Sequence, residues 1–258
     1  MCDRSAIAIL LAGGVGSRLD LNNDEKRNIS KAWLKNKAES TTMLELNIIE
    51  LLKVKEIKNI YIIFDVNNEL EFYKKAGLFE KLINNGITVE KMSCNAGNMP
   101  HGSNIITYLR RYPTYESTLG ILREMVDLLD LCESEKIFFV FGHAPRPANH
   151  FVDLLEEYTL HTQIVATVVH KTSKKLPVYI RNNEVQAGQD KGSSPIEPPY
   201  ILTLKTLKKY KALTWLDFIS KAHEDKILHL IPIDAPGEFN YYSEYLLYLE
   251  YIDRVFLA

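Results

Sequence analysis

The chain alternates between short runs of consecutive apolar residues and longer stretches in which apolar positions recur every three or four residues. A short apolar run that ends at turn residues predicts a strand buried on both faces of a sheet. Strands are predicted in this way at 6–11, 60–64, 87–89, 136–141, 164–169 and 227–233. The first run stops before Gly13, and the run at 136–141 stops at Gly142. These glycines therefore mark the carboxyl ends of two predicted strands.

Helical spacing of apolar residues fills most of the chain between these runs. Helices are predicted at 43–53, 70–85, 119–132, 149–158, 204–210, 216–223 and 241–251. Strands alternating with helices over the first 170 residues predict βαβ units and a mostly parallel sheet. The segment 178–202 is more broken and richer in Gly and Pro, which favours a small antiparallel extension. We therefore expect a single α/β domain over 1–258, with a core at 1–170 and a mixed part at 171–258.

Composition and charge narrow the class of protein. The hydrophobic fraction of 46% and the charged fraction of 25% are ordinary for a globular domain. A net charge of −2 provides no general attraction to nucleic acid or to an anionic membrane. Cys2, Cys94 and Cys132 are far apart and odd in number, which argues against a disulfide framework. The apolar run 6–12 is too short to span a bilayer, so we expect a cytoplasmic protein.

A glycine-rich loop follows the first predicted strand. In open α/β sheets, ligands bind beyond the carboxyl ends of the strands, and glycine amides can approach phosphate oxygens closely there. Arg18 adds a guanidinium suited to a triphosphate. The loop lacks the Gly-Lys-Ser/Thr of a Walker loop, and Leu19 stands where a dinucleotide fingerprint needs its third glycine. The remaining interpretations are another kind of nucleotide loop or a tight turn alone.

The unbroken run Leu11-Ala12-Gly13-Gly14-Val15-Gly16-Ser17-Arg18-Leu19 resembles the signature of nucleotidyltransferases with a GT-A-type Rossmann-like fold. That group includes sugar-phosphate and molybdopterin nucleotidyltransferases. Ser30-Lys31-Ala32-Trp33-Leu34 resembles the family's Pro-Lys-x-Leu element, with Ser30 in place of proline. Thr42-Met43-Leu44-Glu45 is similar to the segment that opens the family's next helix. The resemblance implies a three-layer fold with a nucleotide-binding core at 1–170 and an acceptor-binding part at 171–258.

The resemblance also implies an activity, namely transfer of a nucleotidyl group from an NTP to a phosphorylated acceptor, with release of pyrophosphate. The nucleotide-binding residues it implies are Leu11, Ala12, Gly13, Gly14, Gly16 and Ser17, with Gly102 and Ser103 at the base or ribose. Arg18 would hold the triphosphate, and Lys31 would neutralise negative charge as pyrophosphate leaves. Without its neighbours, Lys31 would be better explained as a solvated surface lysine, and Gly-Ser is common in loops.

His143 departs from the family pattern. The segment around Gly142-His143-Ala144-Pro145 resembles a Gly-Asp-x-Pro element whose aspartate binds Mg²⁺ in the family. Mg²⁺ prefers oxygen ligands over imidazole. Four interpretations of His143 therefore stay open. It is a ligand for another metal such as Mn²⁺ or Zn²⁺, a direct phosphate contact, part of a site without turnover, or a helix cap.

A second carboxylate would complete a metal site for Mg²⁺ or Mn²⁺. Asp234 is our candidate because it follows a predicted strand, with Asp190 and Asp225 as rivals. Acceptor contacts are predicted at Arg146, Glu197 and Tyr200. Arg146 adds a cation to the loop of His143, and the resemblance suggests the other two.

Two further functions stay open at this stage. One is a nucleotide- or sugar-phosphate-binding protein that keeps the fold and has lost catalysis, a pseudoenzyme. The other is a glycosyltransferase, for which the nearest metal motif is the pair Asp127 and Asp130 inside a predicted helix. The expected partners are an NTP and a phosphorylated small molecule, and assembly into a homo-oligomer is left open.

Overall fold

A computed structural model describes most of the chain. The described residues are 5–13, 30–65, 77, 80, 89–92, 105–110, 118–129, 131, 133–158, 163–170, 178–188, 194–210, 214–239 and 241–256. Most of the predicted helix at 70–85 and most of the glycine-rich loop lie outside the described residues.

The described strands form one large sheet and one hairpin. The strands are β1 Ala6–Leu11, β2 Ile57–Asp65, β3 Val89–Met92, β4 Ile105–Arg110, β5 Lys136–Phe141, β6 Ile164–His170, β7 Val178–Arg181, β8 Glu184–Ala187, β9 Ile196–Thr203 and β10 Leu228–Pro236. The large sheet has the order β10-β6-β9-β5-β1-β2-β4-β3. Its strands are parallel except β9, which runs antiparallel to both β5 and β6. The prediction of a mostly parallel sheet with a small antiparallel part, the β7–β8 hairpin, is confirmed.

Helices cover both faces of the sheet. They are α1 Met43–Leu52, α2 Thr118–Leu128, α3 Ala148–Tyr158, α4 Leu204–Lys209, α5 Trp215–Glu224 and α6 Tyr242–Phe256, with a 3-10 turn at Lys31–Trp33. α1 begins with a capping box, in which Thr42 Oγ1 accepts from the Glu45 amide and the Glu45 carboxylate accepts from the Thr42 amide. Within the described residues, no helix combines the length and apolarity needed to cross a membrane.

Strand β1 shows how the layers are built. Because side chains alternate between the faces of a strand, Ile7, Ile9 and Leu11 pack with the helices of one face, including α2 and α5. Ala6, Ala8 and Leu10 point to the other face and pack with α1 and α3. The fold therefore has three layers, as predicted, with β1 buried at the centre of the sheet.

Strand β9 is a correction to the sequence analysis, which treated the whole of 178–202 as a broken insertion. Residues 196–203 instead form a central strand between β5 and β6. Prolines normally argue against a central strand. Here the pairing with β6 passes from Ala166 opposite Tyr200 to Thr167 opposite Glu197, which leaves Pro198 and Pro199 inside a bulge.

Candidate functional site

The sheet has a topological switch point beside β1. The chain continues from β1 to β2 on one side, whereas β5 pairs with β1 on the other side. Such a reversal opens a crevice at the carboxyl ends of the two central strands. Ala12 and Gly13 leave β1 at this crevice, and Gly142 and His143 leave β5 there.

The chain leaving β1 and the turn after β5 are in direct contact. The Gly142 amide donates to the Leu11 carbonyl at 2.8 Å. A Cβ on residue 142 would lie 2.8 Å from the Leu11 carbonyl oxygen and 3.2 Å from Ala12 Cα, so only glycine fits this approach. Asn47 of α1 holds the same turn, because its Nδ2 donates to the carbonyls of Phe141 (3.0 Å) and Gly142 (3.2 Å).

Ser30 and Lys31 join the crevice from the segment that precedes α1. Ser30 Oγ donates to the Ala12 carbonyl at 2.7 Å, which attaches this segment to the end of β1. Lys31 follows in the 3-10 turn, and its Nζ donates to Glu238 Oε1 at 2.7 Å and to the Phe239 carbonyl at 2.6 Å. Lys31 is therefore a largely buried cation with a fixed position rather than a solvated lysine.

His143 shares the same carboxylate oxygen. Its Nε2 lies 3.2 Å from Glu238 Oε1. The imidazole stacks on Phe141 with centroids 5.4 Å apart, and it meets the Phe239 ring edge-on at 5.8 Å. Lys31, His143 and Glu238 thus form a compact group, which we call the charge cluster.

Glu238 is the site residue that the sequence analysis missed. It lies in the short segment between β10 and α6, 207 positions beyond Lys31. No motif includes it, and only the three-dimensional structure brings it to Lys31. The only sequence signal is its place just after a predicted strand, a feature it shares with Asp234.

Buried side chains fix the backbone around Glu238. Glu197 Oε2 accepts from the Glu238 amide at 2.6 Å. Arg146 Nη2 donates to the Pro236 carbonyl at 2.9 Å, and the Phe239 side chain is buried. The segment 236–239 is therefore fixed at several points.

Arg146 lies in the interior of the protein rather than at the surface of the crevice. It has no exposed surface, and its Nη1 donates to the Tyr248 hydroxyl at 2.6 Å. Burial alone would lower the pKa of Arg146, but the nearby Tyr248, Tyr251 and Glu197 outweigh burial and raise it. Arg146 thus stabilises the structure behind the crevice through Tyr248 and Pro236. Its contact with an acceptor stays a prediction.

Glu197 and Tyr200 are also buried rather than displayed on the surface. Tyr200 stacks on Phe139, and its hydroxyl donates to the Ile196 carbonyl at 3.3 Å. Burial first, and then the carboxylates of Glu197 and Glu238, raise the pKa of Tyr200 above its usual range. The two predicted acceptor residues therefore lie beneath the charge cluster, where Glu197 positions Glu238.

Asp234 is not the carboxylate beside His143. Its Oδ1 lies 2.8 Å from His170 Nε2 and its Oδ2 lies 3.8 Å from Arg254 Nη2, on an exposed surface. These partners hold the pKa of Asp234 below its usual value. Its rival Asp225 ion-pairs with Lys209 instead, whereas Asp190 lies outside the described residues.

The charge cluster does not suit Mg²⁺. Across the described ranges, no three His, Cys, Asp or Glu side chains come together as a metal site. The Glu238 carboxylate oxygen near His143 already accepts from the Lys31 ammonium. Because a divalent cation at that oxygen would lie beside a fixed positive charge, the described donors fit an anion better than a metal.

Several predicted residues cannot be placed. Gly14, Gly16, Ser17, Arg18, Gly102 and Ser103 lie outside the described residues. Leu11, Ala12 and Gly13 are placed at the end of β1, beside the crevice. Their nucleotide contacts stay predictions.

Comparison with known proteins identifies the fold. No family model matches the chain, and no curated protein matches it in sequence. A chain assigned as a glucose-1-phosphate thymidylyltransferase from Bacillus anthracis, solved with sucrose, is similar with a TM-score of 0.66 at 15% identity, covering 96% of this chain and 95% of that one. An inositol-1-phosphate CTP transferase from T. maritima is similar with a TM-score of 0.60 at 15% identity, covering 98% of each chain.

A third solved structure extends the comparison. It is a 4-diphosphocytidyl-2C-methyl-D-erythritol synthase from Anaerococcus prevotii, with a TM-score of 0.58 at 14% identity and 98% of each chain covered. Together these likenesses show that the chain has the Rossmann-like fold of the nucleotidyltransferases, as predicted from the glycine-rich loop.

Proposed function

We propose that this protein is a nucleotidyltransferase that transfers a nucleotidyl group from an NTP to a phosphorylated acceptor and releases pyrophosphate. One observation carries the proposal. The start of the glycine-rich loop, Lys31 and His143 meet at the switch point of a sheet whose fold is that of nucleotidyltransferases. Ligands of open α/β sheets bind at such a point.

The proposed reaction is an in-line displacement at the α-phosphorus. An oxygen of the acceptor phosphate forms a bond to this phosphorus, the bond to the bridging oxygen of the β-phosphate breaks, and pyrophosphate leaves with that electron pair. Catalysis then consists chiefly of positioning and neutralising charge. Lys31 donates to a phosphoryl oxygen that gains negative charge, from a position fixed by the Phe239 carbonyl.

The other proposed contacts with the NTP come from two segments. Gly14 and Arg18 of the glycine-rich loop would bind the triphosphate, and Gly102 with Ser103, from a later segment, would contact the base or ribose. The named substrates of the similar structures, glucose 1-phosphate and inositol 1-phosphate, support a phosphate monoester of a sugar or polyol as acceptor. The cytoplasm as location is also part of the proposal.

A second candidate function has a specific observation in its favour. The sequence resemblance aligns His143 with the family's metal-binding aspartate. Lys31 is ion-paired with Glu238. Both features suit a protein that binds a nucleotide or a sugar phosphate without turnover.

An assay of pyrophosphate release separates the two candidates. The protein is incubated with each of the four common NTPs and with glucose 1-phosphate, inositol 1-phosphate or methylerythritol phosphate, in Mg²⁺, Mn²⁺ or EDTA. We expect release that requires one NTP and one acceptor together. Nucleotide binding by calorimetry without release for any pair would support the second candidate, and neither binding nor release would refute both.

Substitution of His143 tests the metal position. In His143→Asp, we expect pyrophosphate release to gain a dependence on Mg²⁺, with at least a tenfold difference between Mg²⁺ and EDTA, because an oxygen ligand then faces the crevice. His229→Asp is the matched control, because His229 is exposed and pairs with Glu157 instead of Glu238. An unchanged metal dependence in His143→Asp would show that residue 143 does not occupy a metal position.

A further inference from the structure

Glu238 occupies a place in which a phosphoryl group would be expected to sit. Its Oε1 accepts from Lys31 Nζ at 2.7 Å and lies 3.2 Å from His143 Nε2. Both nitrogen groups lie at the crevice beyond β1 and β5. Carboxylate and phosphate oxygens make the same short, charge-assisted hydrogen bonds with a lysine ammonium.

We propose that Glu238 is an exchangeable internal anion, whose carboxylate fills an anion subsite formed by Lys31 and His143 until a phosphoryl group of the ligand replaces it. This inference rests on the proposed function, because that function brings a phosphorylated ligand to the crevice. It adds three things that the proposed reaction does not itself require. These are a role for Glu238, competition between its carboxylate and the ligand for Lys31, and a contact of the phosphoryl group with His143.

The subsite stays in place when Glu238 leaves it. Lys31 Nζ keeps its second bond, to the Phe239 carbonyl at 2.6 Å. The His143 ring is held by Phe141 and Phe239. The two donors are therefore preorganised for an anion whether or not Glu238 is present.

The exchange needs only the Glu238 side chain to turn. The Glu238 amide is bonded to Glu197, the Pro236 carbonyl is bonded to Arg146, and the Phe239 side chain is buried, so the backbone is restrained. The side chains of Lys31, His143 and Glu238 keep exposed fractions of 10%, 15% and 11%. The His143 Nε2 atom itself is buried, so a ligand reaches Lys31 and Glu238 first and meets this nitrogen only once the Glu238 side chain has turned away.

Charge balance favours a one-for-one replacement. Arg146 lies behind the cluster and is electrostatically coupled to Glu197, so this buried cation already has a carboxylate that offsets it. Lys31 has Glu238 as its ionic partner. An incoming phosphoryl group that displaces Glu238 keeps Lys31 neutralised and releases the carboxylate to water, where its charge is well solvated.

Removal of the internal anion should strengthen ligand binding. In Glu238→Gln, the side chain keeps its shape but competes more weakly for Lys31, so a larger fraction of the protein is ready to bind. We expect Kd for the NTP that the wild type prefers, and for pyrophosphate as a probe without a base, to fall about tenfold in calorimetric titrations. Glu250→Gln, which removes the same charge from an exposed position of α6, should leave Kd unchanged.

A gain in affinity is a readout that a damaged fold does not produce. The double variant Lys31→Met/Glu238→Gln, compared with Lys31→Met alone, completes a double-mutant cycle. Without the Lys31 ammonium, the gain in affinity from Glu238→Gln should largely disappear. Unchanged or weaker binding by folded Glu238→Gln would overturn the inference while leaving the proposed function intact. No binding of any NTP or of pyrophosphate to the wild type or to Glu238→Gln would refute the proposed function itself.

If Glu238→Gln does not fold, a crystal structure of the wild type soaked with pyrophosphate decides the question. A phosphate oxygen on Lys31 Nζ, with the Glu238 side chain turned away, supports the exchange. A bound pyrophosphate with Glu238 still on Lys31 overturns it.

Discussion

Arg146 and His150 show how one buried charge affects its neighbours at the scale of single residues. His150 lies in the first turn of α3, close to the buried Arg146 guanidinium. Burial first, and then the Arg146 charge, lower the pKa of His150 to about 4, although Asp234 acts in the opposite direction. His150 is therefore neutral in the folded protein at pH 7.

This low pKa predicts a loss of stability in weak acid. Between pH 6.5 and about 4, His150 takes up a proton in the unfolded chain but not in the folded protein. The unfolded state then binds more protons, so the free energy of unfolding falls as the pH is lowered through this window, by at most about 3 kcal/mol. Urea unfolding at a series of pH values measures this slope.

Two substitutions isolate the contribution of His150. His150→Asn should flatten the pH dependence between pH 6.5 and 4, because the titrating group is gone. Asn149→Ala, at the exposed neighbouring position of α3, removes no titrating group and should leave the slope as it is in the wild type. Equal slopes in the wild type and in His150→Asn would show that other groups cause the acid sensitivity.

The turn after β5 joins three elements at the next scale. Gly142 touches the end of β1, and Asn47 of α1 donates to two successive carbonyls at the start of the turn, those of Phe141 and Gly142. α1 in turn begins at the Thr42 capping box. The position of His143 therefore depends on the contact of a strand, a helix and a loop, rather than on its own segment alone.

Gly142→Ala tests this contact. The added methyl group would lie 2.8 Å from the Leu11 carbonyl oxygen, and because backbone atoms cannot yield cheaply, we expect a loss of about 1–3 kcal/mol and loss of nucleotide binding. Thr203→Ala is a control of similar cost, about 1 kcal/mol, because it removes the N-cap of α4 beside Lys136, at the opposite end of β5 from Gly142. Both are measured by denaturant unfolding and calorimetry, and retained binding in Gly142→Ala would contradict a crevice between these loops.

The sequence predicted those strands and helices whose formation depends on the residues of one short segment. The apolar runs of β1 and β5 and the capping residues of α1 were predictable because burial and hydrogen bonding of a short segment determine them. Strand β9 was missed because Pro198 and Pro199 normally interrupt a strand, and only pairing with β6 creates the bulge that accommodates them. The burial of Arg146 was missed because its partners, Tyr248 and the Pro236 carbonyl, are about a hundred residues away in sequence.

The whole molecule is held together by strands from late in the chain. β6 has β9 and β10 as its two neighbours in the sheet, and β9 also pairs with β5. The charge cluster likewise combines Lys31 and His143 with Glu238. The parts 1–170 and 171–258 therefore share one sheet and one site.

A fragment containing residues 1–170 should not fold on its own. Without β9 and β10, strand β6 loses both hydrogen-bonded neighbours and β5 becomes an exposed edge. We expect the fragment to lack the cooperative thermal unfolding that circular dichroism detects in the full chain. A cooperative transition in the fragment, near the temperature of the full chain, would contradict this prediction.

The ion pair of Lys31 with Glu238 also has a meaning in the order of synthesis. A ribosome adds 207 further residues after Lys31 before its counter-anion exists. Until then, the Lys31 ammonium cannot be buried at its final position without an unbalanced charge, so this part of the crevice cannot take its final structure. The ligand-binding edge can therefore be completed only after β10 and the segment that carries Glu238 have been synthesised.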